Sequence, residues 1–222
     1  MNSNYALVTA VKNEEKTLKC IFECITSQSL LPEKWIIVND NSTDDTINVL
    51  KCLSQGISWI EIINDKSSVG YSSLNYSRAV KIGFDRISKY KQSEDLNMDF
   101  IGLVDADVKI TSTHVENLIL KFRLDNNLGI CSGDIYYLNH NKITKFIDNG
   151  DYPVGSMRLW KWDCFMETGG FLETYAPDTI SNIKALGKNY NIRRFKTPII
   201  LLGRGNTVSS LYPGGIWKNF NK

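Results

Sequence analysis

The stretch FIGLVDADVKIT, residues 100 to 111, runs an apolar segment into Asp105 and Asp107 with a single alanine between them. In an extended chain, alternate side chains point the same way at a rise of about 3.3 Å per residue, so the two carboxylates could face one point about 6 to 7 Å apart. Carboxylates so placed offer hard oxygen donors to a divalent cation. The same pair could equally end a buried strand in a turn, which aspartate does readily. Other residues have to decide.

Polar residues also follow the apolar runs nearer the N-terminus. Lys12, Asn13 and Glu14 follow YALVTAV, and Asp40 and Asn41 come at the end of KWIIVND. If these runs are strands of an open α/β sheet, their carboxyl ends share one crevice, where such sheets bind ligands. A nucleotide could lie across it, with Asp40 accepting a hydrogen bond from base or ribose and a metal joining the acidic pair to phosphates. Each element has a structural alternative. DNSTDDT, residues 40 to 46, reads as a helix start in which Ser42 or Thr43 caps and Asp44 and Asp45 favour the positive helix end. Gly70, in SSVGYSSLN, either turns the chain or admits a ligand close to the backbone.

The elements that would position these groups follow from periodicity. Short apolar runs alternate with helical patterns through the first 130 residues, the signature of βαβ units on a mostly parallel sheet. Strands are predicted at YALVTAV, KWIIVND, SWIEIIN, DFIGLVDAD and LGICSGDIYYL. Helices are predicted at NEEKTLKCIFECITSQ, SSLNYSRAVKIGFDRISKY and THVENLILKF, the last capped by Thr111, Ser112 or Thr113. From about residue 140 the pattern changes. GSMRLWKWDCFMETGGF is aromatic and broken by glycine, PDTISNIKALGKNY starts like a capped helix, and FKTPIILLGR returns as a strand. With no Gly/Ser/Pro-rich linker between them, the parts read as one domain over 1–222, with halves at about 1–130 and 131–222.

Composition bounds the chemistry. A formal net charge of +2, with no long block of either sign, gives no argument for nucleic acid, so small molecules are the expected partners. The N-terminus lacks a signal-peptide pattern and no 18 apolar residues run together, so a cytoplasmic location is expected. Five scattered cysteines read as reduced thiols, and with only His114 and His140 available a metal would be held by oxygen ligands.

Four motifs in order, VTAVKNEEKTL, IIVNDNSTDDT, GLVDADV and TGGFLETYAPDT, resemble the family 2 glycosyltransferases of GT-A fold over roughly residues 5 to 190. The resemblance implies a Rossmann-like, mostly parallel sheet flanked by helices, with a smaller acceptor-side lobe. It implies an inverting transfer from a nucleotide-diphosphate sugar, UDP- or GDP-linked, to a hydroxyl acceptor that is a glycan, lipid-linked or other. By position it implies nucleotide contacts at Ala10, Asn13, Glu14, Asp40, Gly70, Asn75 and Asp105, and Mn²⁺ or Mg²⁺ held by Asp105 and Asp107. Gly169 and Gly170 match the turn beside the acceptor, and Asp178 the catalytic base. A lipid-linked acceptor would bring the chain to a membrane surface.

The chain departs from the family pattern where proline is common and Ala10 stands, and where an acidic residue is common and Pro177 precedes Asp178. A Gln-x-x-Arg-Trp motif is missing, which favours single transfers over polymerisation. Trp160, Trp162 and Phe165 either offer apolar faces to an acceptor or pack a core, and Arg204 either meets diphosphate or is structural. Asp178 could instead cap a helix, leaving Glu167, Glu173 or Asp163 as base. Two other functions stay open: a sugar nucleotidyltransferase, against which the acidic, glycine-free VKNEEKTL argues, and a noncatalytic nucleotide-sugar-binding module.

Overall fold

The computed structural model describes residues 4–68, 70, 72–139, 142–146 and 150–202; Arg204 and His140 lie outside the described residues. Strands β1 (Tyr5–Val11), β2 (Lys34–Asp40) and β4 (Phe100–Val104) are buried along almost their whole length. Near-continuous apolar runs of this kind suit parallel strands covered by helices on both faces. Together with β3 (Ile60–Asp65) they form a parallel block in the order β3-β2-β1-β4. Val11 stands opposite Asn39, so Lys12 and Asp40 leave the sheet side by side.

Alternation along the strands feeds two cores. On one face Leu7, Trp35, Ile37 and Phe100 pack with Ile21, Phe22 and Ile25 of α1 (Leu18–Thr26) and with Leu118 and Phe122 of α4 (His114–Leu124). On the other, Val8, Ile36, Val38 and Ile101 meet Ala79, Val80 and Phe84 of α3 (Ser73–Gln92). The latter helix lies so close to the sheet that a Cβ on Gly83 would sit 2.4 Å from a Val8 methyl carbon. Helix α2 (Thr46–Leu53) precedes β3.

The second half continues the same sheet. Strand β8 (Met157–Lys161) lies antiparallel between β4 and β6 (Leu128–Asn139), and β9 (Asn191–Leu201) runs parallel to β6. Strand β5 (Val108–Ile110) pairs with β9, and β7 (Lys142–Lys145) with β6, completing nine strands among the described residues. Helices α5 (Trp162–Glu167) and α6 (Pro177–Gly187) cover this half. No helix among the described residues is long and apolar enough to cross a membrane.

Three local expectations are corrected. The fourth strand ends at Val104, and Asp105 to Asp107 form a turn before β5, so the extended-chain spacing of the carboxylates does not apply. The turn is fastened by backbone bonds to neighbouring elements: the Asp105 amide donates to the Ser156 carbonyl at 2.9 Å, and the Leu202 amide to the Asp107 carbonyl at 2.8 Å. Ser42 and Thr43 do not cap α2. That helix starts at Thr46, whose amide donates to the Asp44 side chain at 3.1 Å. Likewise Thr113 occupies the α4 cap position without a side-chain bond, and the Val115 amide is satisfied instead by Gln28 Oε1 at 3.2 Å.

His114, the first residue of α4, is fully buried, and desolvation pushes its pKa down to about 4, partly opposed by the Pro198 backbone. The folded chain therefore takes up this proton later than the unfolded chain does, for which the ordinary value of 6.5 applies. Its contribution to stability is fully present above pH 6.5 and is lost as pH falls towards 4, reaching roughly 3 kcal/mol. The chain should lose urea resistance between pH 7 and pH 5, and His114→Leu should flatten that loss. An equal loss in the variant would assign the effect to other groups.

Candidate functional site

The loops after β1 and β2 are stitched together by the residues expected to touch a nucleotide. Asn13, at φ 57°, accepts from the Thr43 amide at 2.8 Å while its own amide donates to Ser42 Oγ at 2.9 Å. The Glu14 amide donates to Thr46 Oγ1 at 2.8 Å, and its buried carboxylate accepts from Thr17 at 2.7 Å. Asn41, at φ 50°, donates to the Ser68 carbonyl at 2.9 Å. Asparagine tolerates the left-handed conformation because its short side chain can bond locally. Ser42 and Thr43 are thus spent on joining the two loops, the physical reason they do not cap α2.

Asp40 is buried and surrounded by cations. Lys12 Nζ donates to its carbonyl at 2.7 Å and to Oδ2 at 3.2 Å, and also to Ser68 Oγ at 3.0 Å. Arg78, one turn into α3, stands 3.7 Å from Asp40 Oδ1 and 3.4 Å from Asp65 Oδ2. Asp40 Oδ1 itself accepts no hydrogen bond from the described residues. Ala10 is half-buried at the end of β1. Gly70, at φ 68°, has open space where a Cβ would stand, and its carbonyl accepts from the Asn75 side chain at 3.4 Å. Ser72 caps α3 by accepting from the Asn75 amide.

The acidic pair lies one strand away. Tyr76, from the same first turns of α3, donates to Asp105 Oδ1 at 2.6 Å. Despite that bond, burial and the charges of Asp107 and Asp178 push the Asp105 pKa up to about 7, and burial raises Asp107 too. Asp178 therefore belongs to the same electrostatic cluster. It is the second residue of α6, behind Pro177, and does not cap the helix; its carboxylate instead receives Arg158 Nη1 at 2.9 Å. The cap alternative for Asp178 is thus corrected: proline takes the first helical position, for which its fixed φ is suited.

Among the described residues no three His, Cys, Asp or Glu side chains gather as a ready metal cage. Two carboxylates at a desolvated turn do fit Mg²⁺ or Mn²⁺, which are commonly held by one or two carboxylates plus water and substrate phosphates. The raised Asp105 value comes first from burial and then from the charges of Asp107 and Asp178, and a cation there would favour the ionised form against both.

Other expected residues fall elsewhere. Trp160 is 1% exposed, edge-on to Phe84 at 5.6 Å, and is a core residue that offers no face to an acceptor. Strand β8 is buried on both faces, Trp160 packing with α3 and α5 in one core and Met157 and Leu159 with α1 and α4 in the other. Phe165 is core as well, with Trp162 stacked against it at 5.8 Å. Gly169 and Gly170, at φ 84° and 70°, stop α5, with the Gly170 amide donating to the Phe165 carbonyl at 2.8 Å. Lys184 of α6 then donates to the Thr168 carbonyl at 2.8 Å, tying that turn to the helix that carries Asp178. Asp163 lines a cleft of about 410 Å³ with Lys91, Asp99 and Lys161, at the end of β4 opposite Asp105. Glu167 is engaged by Tyr190.

The sequence reading missed Tyr76, Arg78, Arg158 and Gly155. Arg158 left a signal: a lone arginine inside the apolar run MRLW needs a buried partner. Tyr76 and Arg78 left none, since which helical residues reach over a sheet edge depends on how the helix docks.

The comparisons with known proteins agree with this geometry. A mannosyltransferase from Pyrobaculum calidifontis, PcManGT, in complex with GDP-Man and Mn²⁺, superposes with a TM-score of 0.66 at 12% identity, covering 93% of this chain and 59% of that one. S. aureus TarS 1-349 in complex with UDP-GlcNAc gives 0.64 at 14% identity, covering 91% and 59%. These likenesses show the fold, which is GT-A. In sequence, 4,4'-diaponeurosporenoate glycosyltransferase of Staphylococcus aureus (strain USA300) is 28% identical over 142 residues, 62% of this chain but only 34% of the relative. The profile of "Glycosyl transferase family 2" matches residues 6–172, running from β1 past the Gly169-Gly170 turn and taking in the whole acidic cluster except Asp178, and so the chain belongs to that family.

Proposed function

We propose that this chain transfers a sugar from a nucleotide-diphosphate sugar to an acceptor hydroxyl, with inversion and with the help of a divalent cation. The observation that carries the reading is that Asp105 and Asp107, in the turn after β4, lie within electrostatic reach of Asp178 at the start of α6, where burial first and then the charges of Asp107 and Asp178 push Asp105 up to about 7. We take residues 1–222 to work as one domain, the parallel half holding the donor and the half with β8, α5 and α6 the acceptor.

The donor's base and ribose lie over the ends of β1 to β3, near Ala10, Asn13, Glu14, Asp40, Gly70 and Asn75. PcManGT was captured with GDP-Man and TarS with UDP-GlcNAc, so GDP and UDP sugars are the donors to try first. Lys12 and Arg78 hold the buried Asp40 carboxylate still, and its Oδ1, which accepts no hydrogen bond from the described residues, would take one from base or ribose only once Arg78 gives way. Mn²⁺ or Mg²⁺ bound by Asp107, with Asp105 beside it, would supply Lewis-acid stabilisation of the departing diphosphate. Tyr76 fixes the Asp105 carboxylate that faces this charge.

Asp178 accepts the proton of the acceptor hydroxyl as that oxygen attacks the sugar from the face opposite the diphosphate. Gly169 and Gly170 shape the acceptor side by setting where α6 begins. A lipid-linked acceptor would place the reaction at a membrane surface, and the S. aureus relative is by its printed name a glycosyltransferase of 4,4'-diaponeurosporenoate.

In a thermal-shift panel, UDP or GDP should raise the melting temperature more with Mn²⁺ than with chelator, since a ligand bound only by the folded state stabilises it. Asp107→Asn should abolish the difference while leaving the ligand-free melting temperature near wild type. Equal shifts with chelator would remove the metal from the site. Asp40→Asn should weaken nucleotide binding measured by calorimetry; undiminished affinity would move the base pocket elsewhere.

Asp178→Asn should keep folding and nucleotide affinity, because asparagine can still accept from Arg158. Transfer should fall by roughly 10² to 10⁴, the range for a lost positioned base. Release of nucleoside diphosphate from the donor at the wild-type rate in this variant would exclude Asp178 as the base.

A further inference from the structure

Arg158 is 0% exposed, on β8 opposite Leu103 of β4 and Ser132 of β6. A guanidinium so far from water is tolerated only with charge and hydrogen-bond partners at good geometry. Its partners come chiefly from the start of α6. Nη1 donates to Asp178 Oδ1 at 2.9 Å and lies 3.5 Å from the Asp178 carbonyl; Nη2 donates to Asn182 Oδ1 and lies 3.5 Å from the Pro153 carbonyl. Asp178 and Asn182 are four residues apart on one helix face. The guanidinium carbon also stands 4.7 Å from the Trp160 ring, a cation–π contact that gives this core tryptophan a role behind the site.

Only one oxygen of Asp178 is bound in this way. The carboxylate, 42% exposed, rests against Gly155, where a Cβ would come within 2.3 Å of Oδ2 and 3.0 Å of Oδ1. Gly155 does not have a left-handed φ, so a side chain there is opposed by space and not by backbone conformation, and a Cβ would have to push the Asp178 carboxylate aside. The next residue, Ser156, accepts the Asp105 amide. One short segment therefore sets both the turn that carries the acidic pair and the resting place of Asp178.

We propose that Arg158 and Gly155 form a cradle that aims the Asp178 carboxylate at the acceptor hydroxyl. Arg158 anchors Oδ1, Gly155 leaves room for Oδ2, and Oδ2 is the oxygen that takes the proton. As it does so, the acceptor oxygen bonds to the sugar carbon, and the bond from that carbon to the diphosphate breaks with its electron pair on the diphosphate. Arg158 touches none of the reacting atoms and is a positioning residue. This inference rests on the reading of Asp178 as the base.

The test compares Gly155→Ala, Arg158→Lys and Asp178→Asn with wild type, using UDP-GlcNAc and GDP-mannose as donors and glycerol or water as acceptor. Gly155→Ala should keep the melting temperature and the donor KM while kcat falls about 10- to 100-fold, the loss typical of a displacement near 1 Å at a reacting group. Arg158→Lys keeps the charge but not the two-pronged grip, so kcat should fall with donor KM unchanged. The ¹³C carboxylate resonance assigned to Asp178 by its loss in Asp178→Asn should shift in both variants, which gives a readout even without turnover. A folded Gly155→Ala protein with wild-type kcat, or with an unmoved Asp178 resonance, overturns the cradle, whether or not Arg158→Lys folds. If instead Asp178→Asn retains full turnover, it is the base assignment that fails.

Discussion

Three carboxylates, those of the half-buried Asp105 and Asp107 and of the more exposed Asp178, are held within electrostatic reach of one another beyond the end of β4, and most of the surrounding architecture answers that constraint. Like charges in a desolvated site raise one another's pKa, as Asp105 shows. The chain answers with a phenol from α3, a guanidinium from β8 and backbone bonds that fix the turn from both sides. Each comes from a different element, so the site exists only when α3, β8, β9 and α6 have all docked on the sheet. Arg158 is the costly part, since a fully buried cation has to be matched by its partners or it destabilises the fold.

Much of the parallel half was legible because its signal is local. Tyr5–Val11 and Lys34–Asp40 begin and end where their apolar runs do, and the polar residues that follow them sit at the carboxyl ends of neighbouring strands. The helical pattern of α3 carries through Gln92, two residues past the predicted end. β8 was not legible as a strand, because MRLWK looks like a broken aromatic segment until β4 and β6 are known to flank it.

What failed did so where a side chain had a choice of partner. Ser42 and Thr43 could cap α2 or join the loop after β1, and the presence of Asn13 across the gap decided for the loop. Asp178 could cap α6 or meet a cation, and Pro177 in the first helical position with Arg158 beneath decided for the cation. The acidic pair could continue a strand or turn, and the backbone bonds to Ser156 and Leu202 decided for the turn. For the loop and the turn the deciding atoms are more than 25 residues away; for Asp178 one decider, Pro177, is adjacent and was readable, while the other, Arg158, lies 20 residues earlier on a strand whose docking is not encoded locally.

The two ends of the crevice differ in how their charge is met, and this bears on how a ligand would be held. Around Asp40 the charges are already matched by Lys12 and Arg78, so that end is ordered before anything binds, and a ligand that takes up Asp40 Oδ1 has to displace Arg78. Around Asp105 and Asp107 burial and neighbouring negative charge raise the carboxyl pKa despite the Tyr76 bond, so that end is left electrostatically unmatched. Helix α3 joins the two ends through Tyr76 and Arg78, two residues apart at its N-terminal end. Any shift of that helix would move both the Arg78 guanidinium and the Tyr76 phenol together. Gly83, which lets α3 lie directly on β1, is therefore part of what keeps the two ends of the crevice in register.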